Sequence, residues 1–379
     1  MSTKIRHEKK TVWLLLAGSA FLSRTALCVS RISLAALVTA AAIILTTSCL
    51  AQDKPTKSLD IYFLDMVGGG STLIVTPLGE SVLIDTGSRE PQHRDADRIL
   101  KACQYAGLKQ IDYLVTTHFD SDHFGGILEV SNRIPIRHFL DNGSPAPSDN
   151  PQSPNSKLHQ LYQQATKGAA KPIRPGDDIL LKNDPNGQLP PIKLHCVASG
   201  KQIEGFSGDI DAPVEGFTMI KPDNSENARS VALVLRCGKF DFFASGDITL
   251  SVEHHLSQPV NRVGQIDLYQ VTHHGLDQSN NPLLLKALSP TVCVAMNGPR
   301  KGIDPRTFKT LRELPSVKAI YQTHYNTQYG QIGNTAPEFI ANLDDPKKGE
   351  LIKASIFPDK GTFTISIGPA SPLRTYEIK

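Results

Sequence analysis

The sequence predicts an α/β fold, and three observations carry that prediction. Short apolar runs of strand character open the body of the chain. An amphipathic helix follows and leads straight into another strand. Strands and helices then alternate towards the C-terminus. Residues 59–66 alternate in polarity, 72–76 and 81–84 are short apolar runs, and Pro77-Leu78-Gly79-Glu80 makes the turn between them. Residues 94–106 set Ala96, Ile99, Leu100, Cys103 and Ala106 on one helical face, and Gly107 suits the stop. Residues 111–116 form a strand that ends in a polar loop. Ligands of α/β sheets gather at that carboxyl end. Strands resume at 231–236, 240–244, 267–272 and 291–296, with helices near 281–288 and 304–314. A final hairpin turns at Asp359-Lys360-Gly361. Two irregular insertions interrupt this order, near 142–178 and 199–227. The first is rich in Pro, Ser and Asn, holds a helix near 157–166, and reads as a surface excursion or lid.

Composition excludes several classes. With 379 residues, 40% apolar and 20% charged, the chain is neither disordered, collagen-like nor multi-spanning. Its formal charge is +3, but residues 1–51 hold six basic residues and one acidic one. The remaining 328 residues carry 34 basic and 36 acidic side chains. A body near −2 is not a basic clamp for long nucleic acid.

Residues 1–51 read as a signal peptide or membrane anchor, with 52–379 as one domain. A basic start precedes two apolar stretches, 12–22 and 34–45, and neither reaches the ~20 residues that span a bilayer comfortably. Ala51 permits cleavage, and Cys49 gives a poor lipidation site. The expectation is export to the periplasm or beyond, with a membrane tether as the alternative. Cys28 and Cys49 belong to this leader. Cys103, Cys196, Cys237 and Cys293 are widely spaced and apolar in setting, as expected of buried free thiols.

The chemistry concentrates in His118-Phe119-Asp120-Ser121-Asp122-His123, followed by Phe124-Gly125-Gly126. Two imidazoles and two carboxylates in six positions, at the end of an apolar strand, are the donor types that bind zinc, manganese or iron.

This segment, His118-x-Asp120-x-Asp122-His123, resembles the signature loop of the metallo-β-lactamase fold superfamily. The Asp120 form is similar to the branch containing the extracytoplasmic metallo-hydrolase domain of DNA-uptake competence proteins. The resemblance continues through residues 61–65, through Val82-Leu83-Ile84-Asp85-Thr86-Gly87, and through Asn227-Ala228-Arg229-Ser230. It ends with Phe243-Ala244-Ser245-Gly246-Asp247 and Val271-Thr272-His273-His274-Gly275. It implies a four-layer αββα sandwich holding two divalent ions, Zn or Mn. His118 and Asp120 would hold one ion, Asp122 and His123 the other, and Asp247 would bridge both. His273 or His274 would complete the second position. Adjacent residues at a strand end point to opposite sides, so one histidine ligates. His273 is taken as that ligand, and His274 as the proton donor to the leaving group. Asp122 would also orient the attacking water, and Asp85 would hold the loop by hydrogen bonds.

One departure stands out. Asn142 occupies the place where related sequences tend to carry a third histidine for the first ion, and His138, Asp141, His159 and His195 are the candidate substitutes. Arg300 and Lys301 are candidate grips for an anionic substrate group or a basic surface turn, and His324 is a candidate neighbour of the metal mouth. The resulting expectation is an exported metal-dependent hydrolase of a phosphodiester or small phosphoester. The alternatives are a lactone or ester hydrolase, and a non-catalytic binding or scaffold protein.

Overall fold

The computed structural model describes residues 58–90, 92–143, 145, 154–212, 223–344, 347–368 and 371–379. The leader and parts of both insertions lie outside them, as do the expectations placed there. No helix of the described residues is long and apolar enough to cross a membrane.

Among the described residues, eighteen strands form two sheets. The first uses β1 (Leu59–Phe63), β2 (Thr72–Val75), β3 (Ser81–Ile84), β4 (Ile111–Val115), β5 (Ile136–Asp141) and β6 (Lys171–Pro172). The second takes β7 (Asp178–Leu180), β8 (Ile192–Ser199), β9 (Gln202–Ile203), β10 (Ala232–Cys237), β11 (Phe240–Ala244), β12 (Leu268–Gln270), β13 (Val292–Ala295), β14 (Ala319–His324) and β15 (Ile340–Asn342). The chain then returns to the first sheet with β16 (Ile352–Phe357), β17 (Thr362–Ile367) and β18 (Arg374–Glu377). The first sheet runs β18-β17-β16-β1-β2-β3-β4-β5-β6. The second runs β15-β14-β13-β12-β11-β10-β8-β7, with β9 paired to β8.

Period-two side chains sort these strands into layers. Leu59, Ile61 and Phe63 of β1 meet Leu233, Leu235, Phe240, Phe242, Val292 and Val294 in a core between the sheets. The opposite face of β1 and its neighbours, through Tyr62, Leu73, Leu83 and Leu114, packs on Ala96, Ile99 and Cys103 of the helix Arg94–Tyr105. On the other side Val234, Phe243, Tyr269 and Cys293 pack on Val252, Leu256, Leu284, Leu288, Phe308 and Leu311. Those residues come from the helices Leu250–Ser257, Pro282–Leu288 and Pro305–Glu313. Helix, sheet, sheet and helix thus stack as four layers. Each fully buried Leu, Ile or Phe contributes roughly 1.5–3 kcal/mol to holding them together.

Both faces of β1 are covered, so the alternation of residues 59–66 distributes side chains between two cores. The helix Leu250–Ser257 has no clear sequence signal, since it buries Glu253, His254 and His255 along with its apolar residues. The four cysteines of the body are free and buried. Burial pushes the Cys103, Cys196 and Cys237 thiols up to about 12.

What positions the site is strand direction. β3 to β6 are mutually parallel, as are β11 to β15. Asp85, His118, Asp247, His273 and His324 each lie at or just beyond the carboxyl end of one of these strands.

Candidate metal centre

The chain reaches the site by close backbone approach. Gly68-Gly69-Gly70, after β1, passes so near the signature loop that no side chain fits. A Cβ on Gly69 would lie 2.5 Å from the Asp122 carbonyl oxygen, and one on Gly70 would lie 2.6 Å from His123 Nδ1. Nothing in the sequence alone marks these glycines as site residues. Their role follows only from the packing of two distant loops.

Four histidines present the same face, and the hydrogen bonds fix which. His274 Nδ1 lies 3.1 Å from the Met296 carbonyl, which only accepts, so Nδ1 carries the proton. His123 Nδ1 donates to Asp85 Oδ2 at 2.7 Å. The Thr117 hydroxyl donates to Asp85 Oδ2 at 2.7 Å, so it accepts from His118 Nδ1 at 3.0 Å. The Ser279 hydroxyl donates to the Ile248 carbonyl at 2.7 Å and therefore accepts from His273 Nδ1 at 3.0 Å. Where a ring is neutral, Nε2 is thereby left as the lone-pair donor, the tautomer that second-shell hydrogen bonds select in metal sites. Burial works against charging His123, yet Asp247 and Asp85 on its two sides hold it well above its ordinary value, so a bound cation would take the place of its Nε2 proton.

Those Nε2 atoms converge on Asp247. Its Oδ2 lies 3.2 Å from His123 Nε2 and 3.4 Å from both His273 Nε2 and His274 Nε2. Two donor groups result, each with its ligand atoms within 4.8 Å of one another: His118, His123 and Asp247, and Asp122, His123 and His274. His123 and His274 approach at 3.1 Å between Nε2 atoms. His118 Nε2 is buried with no hydrogen-bond partner. Bare lone pairs facing a carboxylate, one of them orphaned, are a donor set that fits a cation.

Asp120 and His273 belong to neither group. Asp120 Oδ2 is 3.8 Å from His118 Nε2, with a third of its side chain exposed. Asn227 Nδ2 faces His273 Nε2 at 3.5 Å, so this lone pair has a protein donor, unlike that of His118. The strand-end argument for one inward and one outward histidine does not hold locally. β12 stops at Gln270, and His273 and His274 occupy a turn with φ of 53° and 56°, which aims both rings at Asp247.

Charge follows this geometry. Burial works against ionising Asp122 and Asp247, yet the surrounding histidines, with Lys301 beside Asp122, hold both well below the usual carboxylate range. Burial and the neighbouring His123 push His118 well below its ordinary value. Burial, then the charge of Asp122, pushes Asp120 up to about 6.

The candidate substitutes for a third ligand lie elsewhere. Asn142 is buried, and its amide donates to the Arg229 carbonyl at 3.2 Å. Asp141 accepts from the Tyr162 hydroxyl at 2.8 Å, and His138 stacks on Tyr113. His159 packs on Phe119 and Tyr162. His195 is no core histidine: it is partly exposed and held between Asp178 and Glu204 at 2.6 and 2.7 Å. His324 is buried against Asp65 at 2.6 Å, and Asp65 in turn pairs with Arg98, so this histidine fastens the second sheet to the first. Arg300 is exposed, whereas the Lys301 ammonium reaches Asp122.

Residues 65–193 match the metallo-beta-lactamase superfamily. Among curated proteins the chain is similar to the competence protein ComA of Neisseria gonorrhoeae, at 23% identity over 61% of this chain and 26% of that one. It is also similar to recombination protein 2 of Haemophilus influenzae, at 24% identity over 65% of this chain and 25% of that one. The chain spans about a quarter of the length of these relatives. Among solved structures it is similar to a diphosphatase from the PhnP family, with 13% identity, 69% of this chain and 94% of that one covered, and a TM-score of 0.36.

Proposed function

From a chain that carries a metallo-beta-lactamase superfamily domain at residues 65–193, we propose an exported metal-dependent hydrolase that cleaves a phosphodiester or small phosphoester. The observation that carries the reading is the matched tautomer of His118, His123 and His274, whose Nδ1 protons are all spoken for and whose Nε2 lone pairs face Asp122 and Asp247. Asp122, His123, His274 and Asp247 would hold one divalent ion, zinc or manganese, and His118 with Asp247 and Asp120 a second. Bound ions of this kind polarise a substrate oxygen and acidify water.

The chain's own residues do the rest. Asp85 and the Met296 carbonyl lock the ring orientations of His123 and His274, so the site needs little reorganisation on binding. Asp122 orients water as well as ligating. His273 stands outside both donor groups, with Nε2 turned to Asp247 and met by the Asn227 amide, so in this reading it positions groups beside Asp247 and carries no proton to the leaving group. The body's mild negative charge and the Asp120 form of the loop favour a small phosphoester over long nucleic acid. Export rests on the composition of residues 1–51.

Metal analysis of the full chain, beside the Asp122→Ala/His123→Ala double variant, tests the reading together with a substrate panel. Near two equivalents, lost in the variant, with turnover of bis(p-nitrophenyl) phosphate but not of a β-lactam or lactone, is the expected result. A second reading, a non-catalytic binding protein, is favoured by one observation: Asn142 is spent on a backbone carbonyl instead of completing the first position. Metal without turnover of any ester would select it.

A further inference from the structure

Lys301 belongs to neither donor group, yet its ammonium reaches one of them by pairing with Asp122 Oδ2. Its side chain is 37% exposed, against 3% for His274, so the stem lies in the mouth of the site with its head on a candidate ligand. The backbone beneath it is fixed. The Gly298 N–H donates to the Lys301 carbonyl at 2.8 Å, and a Cβ on Gly68 would touch the Lys301 Cβ at 3.4 Å. Gly302 has φ +85°, and a Cβ there would fall 2.2 Å from the His274 carbonyl, to which Ile303 N–H donates at 2.9 Å. The contacts that seat His274 therefore also seat Lys301.

We infer that Lys301 yields Asp122 to the metal ion and then grips an anionic oxygen of the substrate. This rests on the metal-dependent hydrolase reading and narrows it to substrates charged beside the scissile bond. Two cations on one carboxylate oxygen repel strongly where water is scarce. An ammonium on a flexible four-carbon stem is free to swing by a few ångströms while keeping its three donors. The direction open to it is the mouth. A cleft of about 840 Å³ opens beside this segment at Val67 and Pro299, one residue from Gly68 and Gly298, and its lining mixes Arg94 and Arg98 with Glu90 and Asp97.

Two full-chain variants, Lys301→Met and Lys301→Arg, test the inference through binding, not only turnover. Competition for manganese or zinc against a chromogenic chelator should show Lys301→Met binding metal about tenfold tighter than wild type, because the internal competitor is gone. The metal-loaded Lys301→Met protein should bind inorganic phosphate about tenfold more weakly, and Lys301→Arg should restore most of that binding. Unchanged or weaker metal affinity in Lys301→Met overturns the inference, as does unchanged phosphate binding. If both shifts occur but the wild type hydrolyses no phosphoester, Lys301 keeps its role as an anion grip and the hydrolase reading fails.

Discussion

Two aspartates flank one imidazole, and they differ in what answers them. Asp85, after β3, takes the Nδ1 side of His123 and also accepts the Thr117 amide and hydroxyl, each at 2.7 Å. Asp247, after β11, takes the Nε2 side and faces the Nε2 atoms of three rings at 3.2–3.4 Å, with His123 itself held well above its ordinary value between the two carboxylates. Both are buried. Burial pushes Asp85 above the ordinary carboxylate value despite its partner, whereas His123, His274 and His273 overcome burial to hold Asp247 well below. The protein satisfies the first carboxylate by itself; the second is arranged for a cation. Burial and residue type alone do not separate a positioning residue from a ligand. The protonation of the opposing nitrogen does.

The sharpest way to break this comparison is to neutralise each aspartate in turn. Asp247→Asn should lose metal and reduce turnover on the order of 10³-fold. Asp85→Asn should lower metal affinity about 10–100-fold, because it frees the His123 ring, and should also lower the metal-free Tm. Metal titration and thermal melts on both variants would show it, and equal losses in the two would erase the distinction. A smaller effect should come from Gly70→Ala, whose new methyl must displace the ring that Asp85 holds. About 1–3 kcal/mol of stability should go, together with part of the metal affinity, by denaturant titration and chelator competition.

An effect confined to stability and its pH dependence concerns a third buried carboxylate. Glu253 accepts the amides of Asn280 and Asn281, next to the Ser279 that orients His273, and burial pushes it up from 4.5 to about 7. The folded chain keeps a proton there that the unfolded chain sheds from about pH 4.5. This contribution is therefore full below that value and is lost as pH rises through 7. Glu253→Gln should flatten the fall of Tm over that window, the whole contribution being on the order of 3 kcal/mol.

The sequence displayed the donors better than their arrangement. His118, Asp122 and His123 were legible because metal-ligating types are rare in such density at a strand end, whereas Asp247 was reached only through the family resemblance. The glycines at 68–70 were not, since a glycine run looks alike whether it makes a turn or clears space for an imidazole 50 residues away. Nor was the aim of His273 and His274, which depends on two left-handed residues after a strand that stops early. The four-layer stacking was implied by the family resemblance, but the helix Leu250–Ser257 was not legible, because its buried polar residues erase the amphipathic signal. Lys301 differed from Arg300 only through the fold around it.

The thiols of the body have a practical consequence. Cys103, Cys196, Cys237 and Cys293 are distributed over both outer layers and the central core, and each is sealed from solvent. None forms a disulfide, so the folded body does not depend on the redox state of its surroundings, and reductants have no bond among these four to cut. A thiol reagent should meet each of them only when the layer around it opens. The rate of labelling then clocks unfolding layer by layer, in the native protein and without any added probe.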